Sequence, residues 1–159
     1  MVVHAAHAAA AGVTFRGTYQ GTSSLPAGGA GQMTETIVAT GKASALGISR
    51  LRSSATGPIN PAGCFPMSGR GRLASQGKGA LAYRFQLSLC FPGAFGRQRQ
   101  PPQRGSFTIT SGTGDFKGAR GTGTYVEAFQ NGQNAPPGPV TIRFRGTLLL
   151  PSARTKRQE

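Results

Sequence analysis

The stretch Ser111-Gly-Thr-Gly-Asp-Phe-Lys-Gly-Ala-Arg-Gly-Thr-Gly-Thr-Tyr125 decides the fold class. Five glycines stand among threonines and aromatics, so one strand ends here, the chain turns tightly and another strand begins. Before it, Ser106–Ser111 carries Phe107 and Ile109 on one face. After it, Thr122–Gln130 places Tyr125, Glu127 and Phe129 on one face. The run is not a dinucleotide fingerprint, because it joins antiparallel strands and opens no helix. Asp115 sits at the turn, where an aspartate commonly bonds the local backbone, and it reads as structural.

Working outward, the same period of two recurs. Val13–Gln20 sets Val13, Phe15, Gly17 and Tyr19 against Thr14, Arg16, Thr18 and Gln20. Met33–Ala43 sets Met33, Glu35, Ile37 and Ala39 on one side. Gly47–Ala55 is a weaker strand carrying Arg50 and Arg52, and Val140–Leu150 is the last strand. Gly/Pro/Ser-rich connections separate these runs at residues 23–32, 56–63, 93–105 and 131–139.

The clearest local structure is a hairpin. Gly69–Ser75 runs up, Ser75–Gly79 turns, and Ala80–Cys90 returns with Leu81, Tyr83, Phe85, Leu87 and Leu89 on one side. With the turn centred on Gly77, Leu73 opposes Leu81 and Gly71 opposes Tyr83, which leaves room for the ring to lie across the sheet. The same register sets Cys64 against Cys90, each opening a Cys-Phe-Pro triplet. A disulfide is the preferred reading, and it suits an exported protein. The other reading is two reduced thiols in a cytoplasmic protein, with Pro66 or a bulge shifting the register. Two thiols without an internal histidine make no metal site.

At 159 residues the chain fits one domain. We expect a residual signal or disordered segment over 1–12, a barrel domain over 13–150 and a basic disordered tail over 151–159. Residues 1–12, MVVHAAHAAAAG, look like the end of a secretory signal without its positive start; His4 and His7 fall inside it. The expected location is therefore secreted or periplasmic, with the cytoplasm as the alternative. No apolar run approaches the roughly 18 residues that span a membrane. No cofactor is expected, and no Ser-His-Asp set can be assembled from tail histidines.

Eighteen Lys and Arg face four acids, Glu35, Asp115, Glu127 and Glu159, giving a net charge of +14. Such a chain attracts polyanions, although an Arg-over-Lys, Ala/Gly-rich composition also follows from a GC-rich genome. Fourteen of the cations are Arg, whose planar fork suits phosphate, sulfate and carboxylate.

The runs add up to eight strands and an all-β, antiparallel up-and-down barrel with short or no helices. The first strand contains Phe15-Arg-Gly-Thr18 and the last Phe144-Arg-Gly-Thr147, a shared texture suited to a closing seam. Within this frame, Gly112-Thr-Gly-Asp-Phe-Lys-Gly-Ala-Arg-Gly121 resembles the Gly-x-Gly-x-Phe-x-x-Ala-x-Gly signature of the allene oxide cyclase/dirigent-like barrels, and more closely their exported bacterial members. Gly41–Gly47 and the final Phe-x-Gly-Thr-Leu strand are also similar, so the resemblance spans about residues 13 to 150. It implies a calycin-like barrel with an apolar interior. Plant members cyclise an unstable epoxide or steer radical coupling and are oligomers, so a homo-oligomer is implied too. Most bacterial members have no assigned activity, and fold alone does not carry function.

Two functional readings follow. In the first, the lumen holds a small apolar or amphipathic molecule, lined by Phe15, Tyr19, Tyr83, Phe85 and Tyr125, and Glu35 or Glu127 guides a cyclisation or isomerisation. A buried carboxyl with a raised pKa can act as a general acid or base. The plainer alternative places these glutamates at the rim, paired with cations, and the tyrosines in the core. In the second, Arg16, Arg143 and Arg145 on the seam strands, with Arg70, Arg72 and Arg84 on the hairpin, bind a polyanion from outside. No specific nucleic-acid motif accompanies them, because the aromatics lie mainly on the opposite face.

Overall fold

The computed structural model describes residues 10–26, 29, 31–59, 64–90, 102–129 and 138–151. They form eight strands: β1 (Ala11–Ser24), β2 (Gln32–Ala43), β3 (Gly47–Pro58), β4 (Cys64–Ser75), β5 (Gly79–Cys90), β6 (Gln103–Gly112), β7 (Arg120–Phe129) and β8 (Gly138–Leu150). Each strand pairs antiparallel with its sequence neighbour, and β8 returns to β1, closing the barrel. Closure leaves no edge strand with unpaired backbone groups, the hazard of glycine-rich sheets. Most strands run longer than the sequence reading expects. In particular β1 begins at Ala11, because Ala11 and Gly12 still find partners in Leu150 and Leu149. Residues 1–9 with His4 and His7, Arg97 and Arg99, and the tail beyond Pro151 lie outside the described residues.

The seam explains the repeated Phe-Arg-Gly-Thr. Phe15 opposes Gly146 and Gly17 opposes Phe144, so each phenylalanine faces a glycine of the other strand. The rings of Phe15, Tyr19, Tyr83, Phe107, Tyr125 and Phe144 then meet in the middle of the lumen, mostly edge to face at centroid distances from 5.1 to 6.1 Å. Phe85 stacks on Tyr125 at 4.6 Å. Room comes from small residues on other walls. Gly69 and Gly71 of β4 oppose Phe85 and Tyr83, and β3 turns Ser49, Ser53 and Ala55 inward.

The two ends differ. The connections after β2, β4 and β6 are short, and Leu46 and Phe116 on two of them are buried in the core cluster, closing that end. The glycine-rich turn contains a single 3-10 turn, Gly114–Phe116. Gly114 and Gly118 have φ of 60° and 81°, a conformation that favours glycine. Asp115 ties this turn to the neighbouring hairpin through its backbone N–H, which donates to the Lys78 carbonyl at 2.8 Å. Its side chain makes none of the local bonds expected of it among the described residues. The connections after β1, β3, β5 and β7 lie at the other end, which has the two longest, the runs 91–102 and 130–137.

Cys64 and Cys90 oppose each other directly and are joined by a disulfide. Pro66 does not shift the register, which runs unbroken from Ser75↔Gly79 to Cys64↔Cys90. It lies beyond the last β3–β4 pair, Thr56↔Ser68, where a missing N–H removes no ladder bond.

Candidate functional site

Between the aromatic layer and the long-connection end, the lumen is lined with polar groups. Glu35 of β2 and Glu127 of β7 both point inward, 2% and 0% exposed. The plainer reading put them at the rim, paired with cations; both are instead buried, and neither pairs with a cation among the described residues. Alternation places them there: Glu35 continues the inward row of Ile37 and Ala39, and Glu127 that of Tyr125. The Ser23 hydroxyl of β1 donates to Glu35 Oε1. Glu127 lies close enough to Glu35 and Tyr125 to interact with both. Neither of its oxygens makes a well-directed hydrogen bond among the described residues.

The layer below adds three hydroxyls. Tyr83 Oη, Tyr125 Oη and Ser53 Oγ are buried and equally without a well-formed bond, although each tyrosine lies near Ser53. Buried polar atoms in native proteins nearly always have partners. Here five unsatisfied oxygens from β3, β5 and β7 converge in one region. Tyr19 differs: its hydroxyl is 2.7 Å from Ser49 Oγ and is satisfied.

Burial dominates the electrostatics. Loss of water raises the pKa of Glu35 above the usual carboxylate range, opposed in part by the Ser23 hydrogen bond. Burial also raises Glu127 well above that range, and the nearby charge of Glu35 raises it further. The Tyr83 and Tyr125 phenols are pushed upward by burial and then by neighbouring groups, Glu127 among them. The cluster thus offers a carboxyl whose protonated form is favoured by burial and three hydroxyls; the hydroxyls, and the carboxyl when protonated, can donate to a ligand oxygen. No group of three or more potential metal-binding side chains occurs among the described residues.

The structure sorts the proposed ligand residues. Tyr83 and Tyr125 bring hydroxyls without a well-formed bond to the cluster. Phe15 and Phe85 are packed ring to ring in the core, and Tyr19 is bonded to Ser49, so these three build the floor of the site rather than its polar contacts. The sequence reading missed Ser23, Ser49, Ser53 and Gln103. Extending the period of two from Tyr19 to Ser23, and from Leu51 to Ser49 and Ser53, would have found the serines. Gln103, assigned to a loop, starts β6 and accepts the Cys90 N–H at 3.0 Å, bracing the disulfide-bearing strand beside the site.

The outer arginines are all exposed, but they divide between two walls. Arg16, Arg143 and Arg145 lie on β1 and β8, whereas Arg70, Arg72 and Arg84 lie on β4 and β5. Comparison with protein-family models, curated proteins and solved structures found no match to this chain.

Proposed function

We propose that the barrel binds a small amphipathic molecule at the long-connection end of its lumen. The ligand's oxygen, a carbonyl, hydroxyl or epoxide, sits among Tyr83, Tyr125, Ser53 and Glu127. The single observation that carries this reading is the convergence of five buried, unsatisfied oxygens on one region. Leaving such groups unpaired costs about 1–3 kcal/mol each, and a ligand oxygen with lone pairs offsets that cost. The apolar part of the ligand is matched by Met33, Phe65 and Phe129, the partly buried hydrophobics on strands that reach this end.

Chemistry beyond binding follows from the same groups. A neutral Glu127 can donate a proton toward an epoxide or carbonyl oxygen, and Glu35 beside it can take up a proton. That pairing suits a cyclisation or isomerisation of an already reactive substrate, in keeping with the resemblance to the allene oxide cyclase/dirigent-like barrels. The disulfide supports an oxidising location, secreted or periplasmic.

The test is a fluorescence titration with a conjugated-polyene C18 fatty acid and its methyl ester. Saturable binding of at least one of them to the wild type, weakened by about tenfold in Tyr83→Phe/Tyr125→Phe, is the expected result. Binding that ignores the double substitution would rule the site out.

A further inference from the structure

The outer wall holds a second, independent feature. Arg16 of β1 and Arg145 of β8 are directly opposed across the seam, and Arg143 follows Arg145 on the same face. With Arg104 of β6 they border a concavity of about 430 Å³, lined also by Gly17, Thr18, Pro102, Thr124, Val126 and Phe144. Like charges set directly opposite in antiparallel strands are destabilising. No acid relieves them: among the described residues Glu35 and Glu127 point inward, and Asp115 is in the 3-10 turn at the barrel end.

The geometry points to this concavity as a binding site for an oligoanion carrying two or more tetrahedral oxyanion groups, phosphate or sulfate. Residues two apart on a strand are separated by about 6.6–6.8 Å and neighbouring strands by about 4.8 Å. The guanidinium groups of Arg16, Arg143 and Arg145 therefore cluster within the span of a short phosphorylated or sulfated molecule. Each presents a planar fork that matches two oxyanion oxygens at once. Thr18 and Thr124 in its lining add hydroxyl donors. Among the described residues the only aromatic that borders the concavity is Phe144, and its ring is buried in the lumen, so they offer charge and hydrogen bonds without a stacking platform for bases.

The opposite wall supplies an internal control. Arg52 and Arg72 are also directly opposed, on β3 and β4, but do not border this concavity. Isothermal titration at low salt with tripolyphosphate and, separately, sucrose octasulfate tests the site, and the preferred probe separates a phosphate source from a sulfate source. The expected result is 1:1 binding of at least one probe, weakened by about tenfold or more in Arg16→Gln/Arg145→Gln. Arg52→Gln/Arg72→Gln, which removes the same charge, should cost less than about threefold. Arg143→Lys, which keeps the charge and loses the fork, should weaken binding more than the control pair does. Equal losses in both double variants, or no binding of either probe to the wild type, would overturn the assignment. Both pairs are exposed, and removing a like-charge pair leaves the fold intact, which a melting curve of each variant checks.

Discussion

Glu35 and Glu127 approach each other across the lumen from β2 and β7, and no cation intervenes among the described residues. Two carboxylates in a dry interior cannot both ionise cheaply. Both folded-state pKa values are raised above the ordinary carboxylate range, burial being the main cause in each. The folded protein therefore holds protons that the unfolded chain has released. Stability is fully present below the ordinary carboxylate range and falls as pH rises through it toward the raised values. Each unit of upward shift costs about 1.4 kcal/mol in full once pH has passed the raised value.

Glu127→Gln removes Glu127's share of that linkage. Its melting temperature should exceed the wild type's at pH 8, and the advantage should shrink steadily toward pH 4. Thermal unfolding across that range checks it, and parallel curves for the two proteins would argue against a buried, proton-holding pair.

Removing an unpartnered hydroxyl should not harm the empty barrel. Tyr83→Phe and Tyr125→Phe each delete a buried oxygen that makes no well-formed hydrogen bond among the described residues. Each should be neutral or stabilising, by up to about 1 kcal/mol in urea unfolding. Tyr19→Phe, which breaks the bond to Ser49, should instead destabilise by about 1 kcal/mol. The opposite ordering would mean that the lumen hydroxyls are already satisfied.

The Gly71–Tyr83 pairing is testable by size. A methyl group on Gly71 would sit 2.2 Å from Tyr83 Cζ, so the ring must move. Gly71→Ala should cost about 1–3 kcal/mol. In a double-mutant cycle with Tyr83→Ala the two losses should be strongly non-additive, because the second change removes the clash. Additive losses would place the ring elsewhere.

Replacing both cysteines by serine should lower stability by about 2–4 kcal/mol, since the bridge closes the β4–β5 hairpin at its open end. Reductant should shift the unfolding midpoint of the wild type and leave the double variant unchanged. A midpoint insensitive to reductant would show that the bridge contributes nothing.

The strand count, the seam and the Cys64–Cys90 register were legible because each rests on a period of two or on a turn centred at a glycine. Glu35 and Glu127 were legible for the same reason, as polar residues on apolar faces. What could not be read was which tyrosines keep a free hydroxyl. Tyr19, Tyr83 and Tyr125 share one pattern, and only packing sets Ser49 beside the first and leaves the other two without a well-formed bond. The inward serines of β3 were hidden because a small polar residue facing large rings looks like a loop residue in isolation. Strand ends were underestimated where Gly, Pro or Gln, poor strand signals, are held in the ladder by a partner, as at Gln103↔Glu127 and Gly138↔Ser23.

The most direct measurement is a native mass spectrum of the oxidised protein equilibrated with the polyene fatty acid and its methyl ester, with a denatured aliquot beside it. Wild type should carry one ligand mass that vanishes on denaturation, and Tyr83→Phe/Tyr125→Phe should carry it at much lower occupancy. A bare wild-type mass at saturating ligand, or equal occupancy in the double variant, would contradict a ligand seated on the lumenal polar cluster.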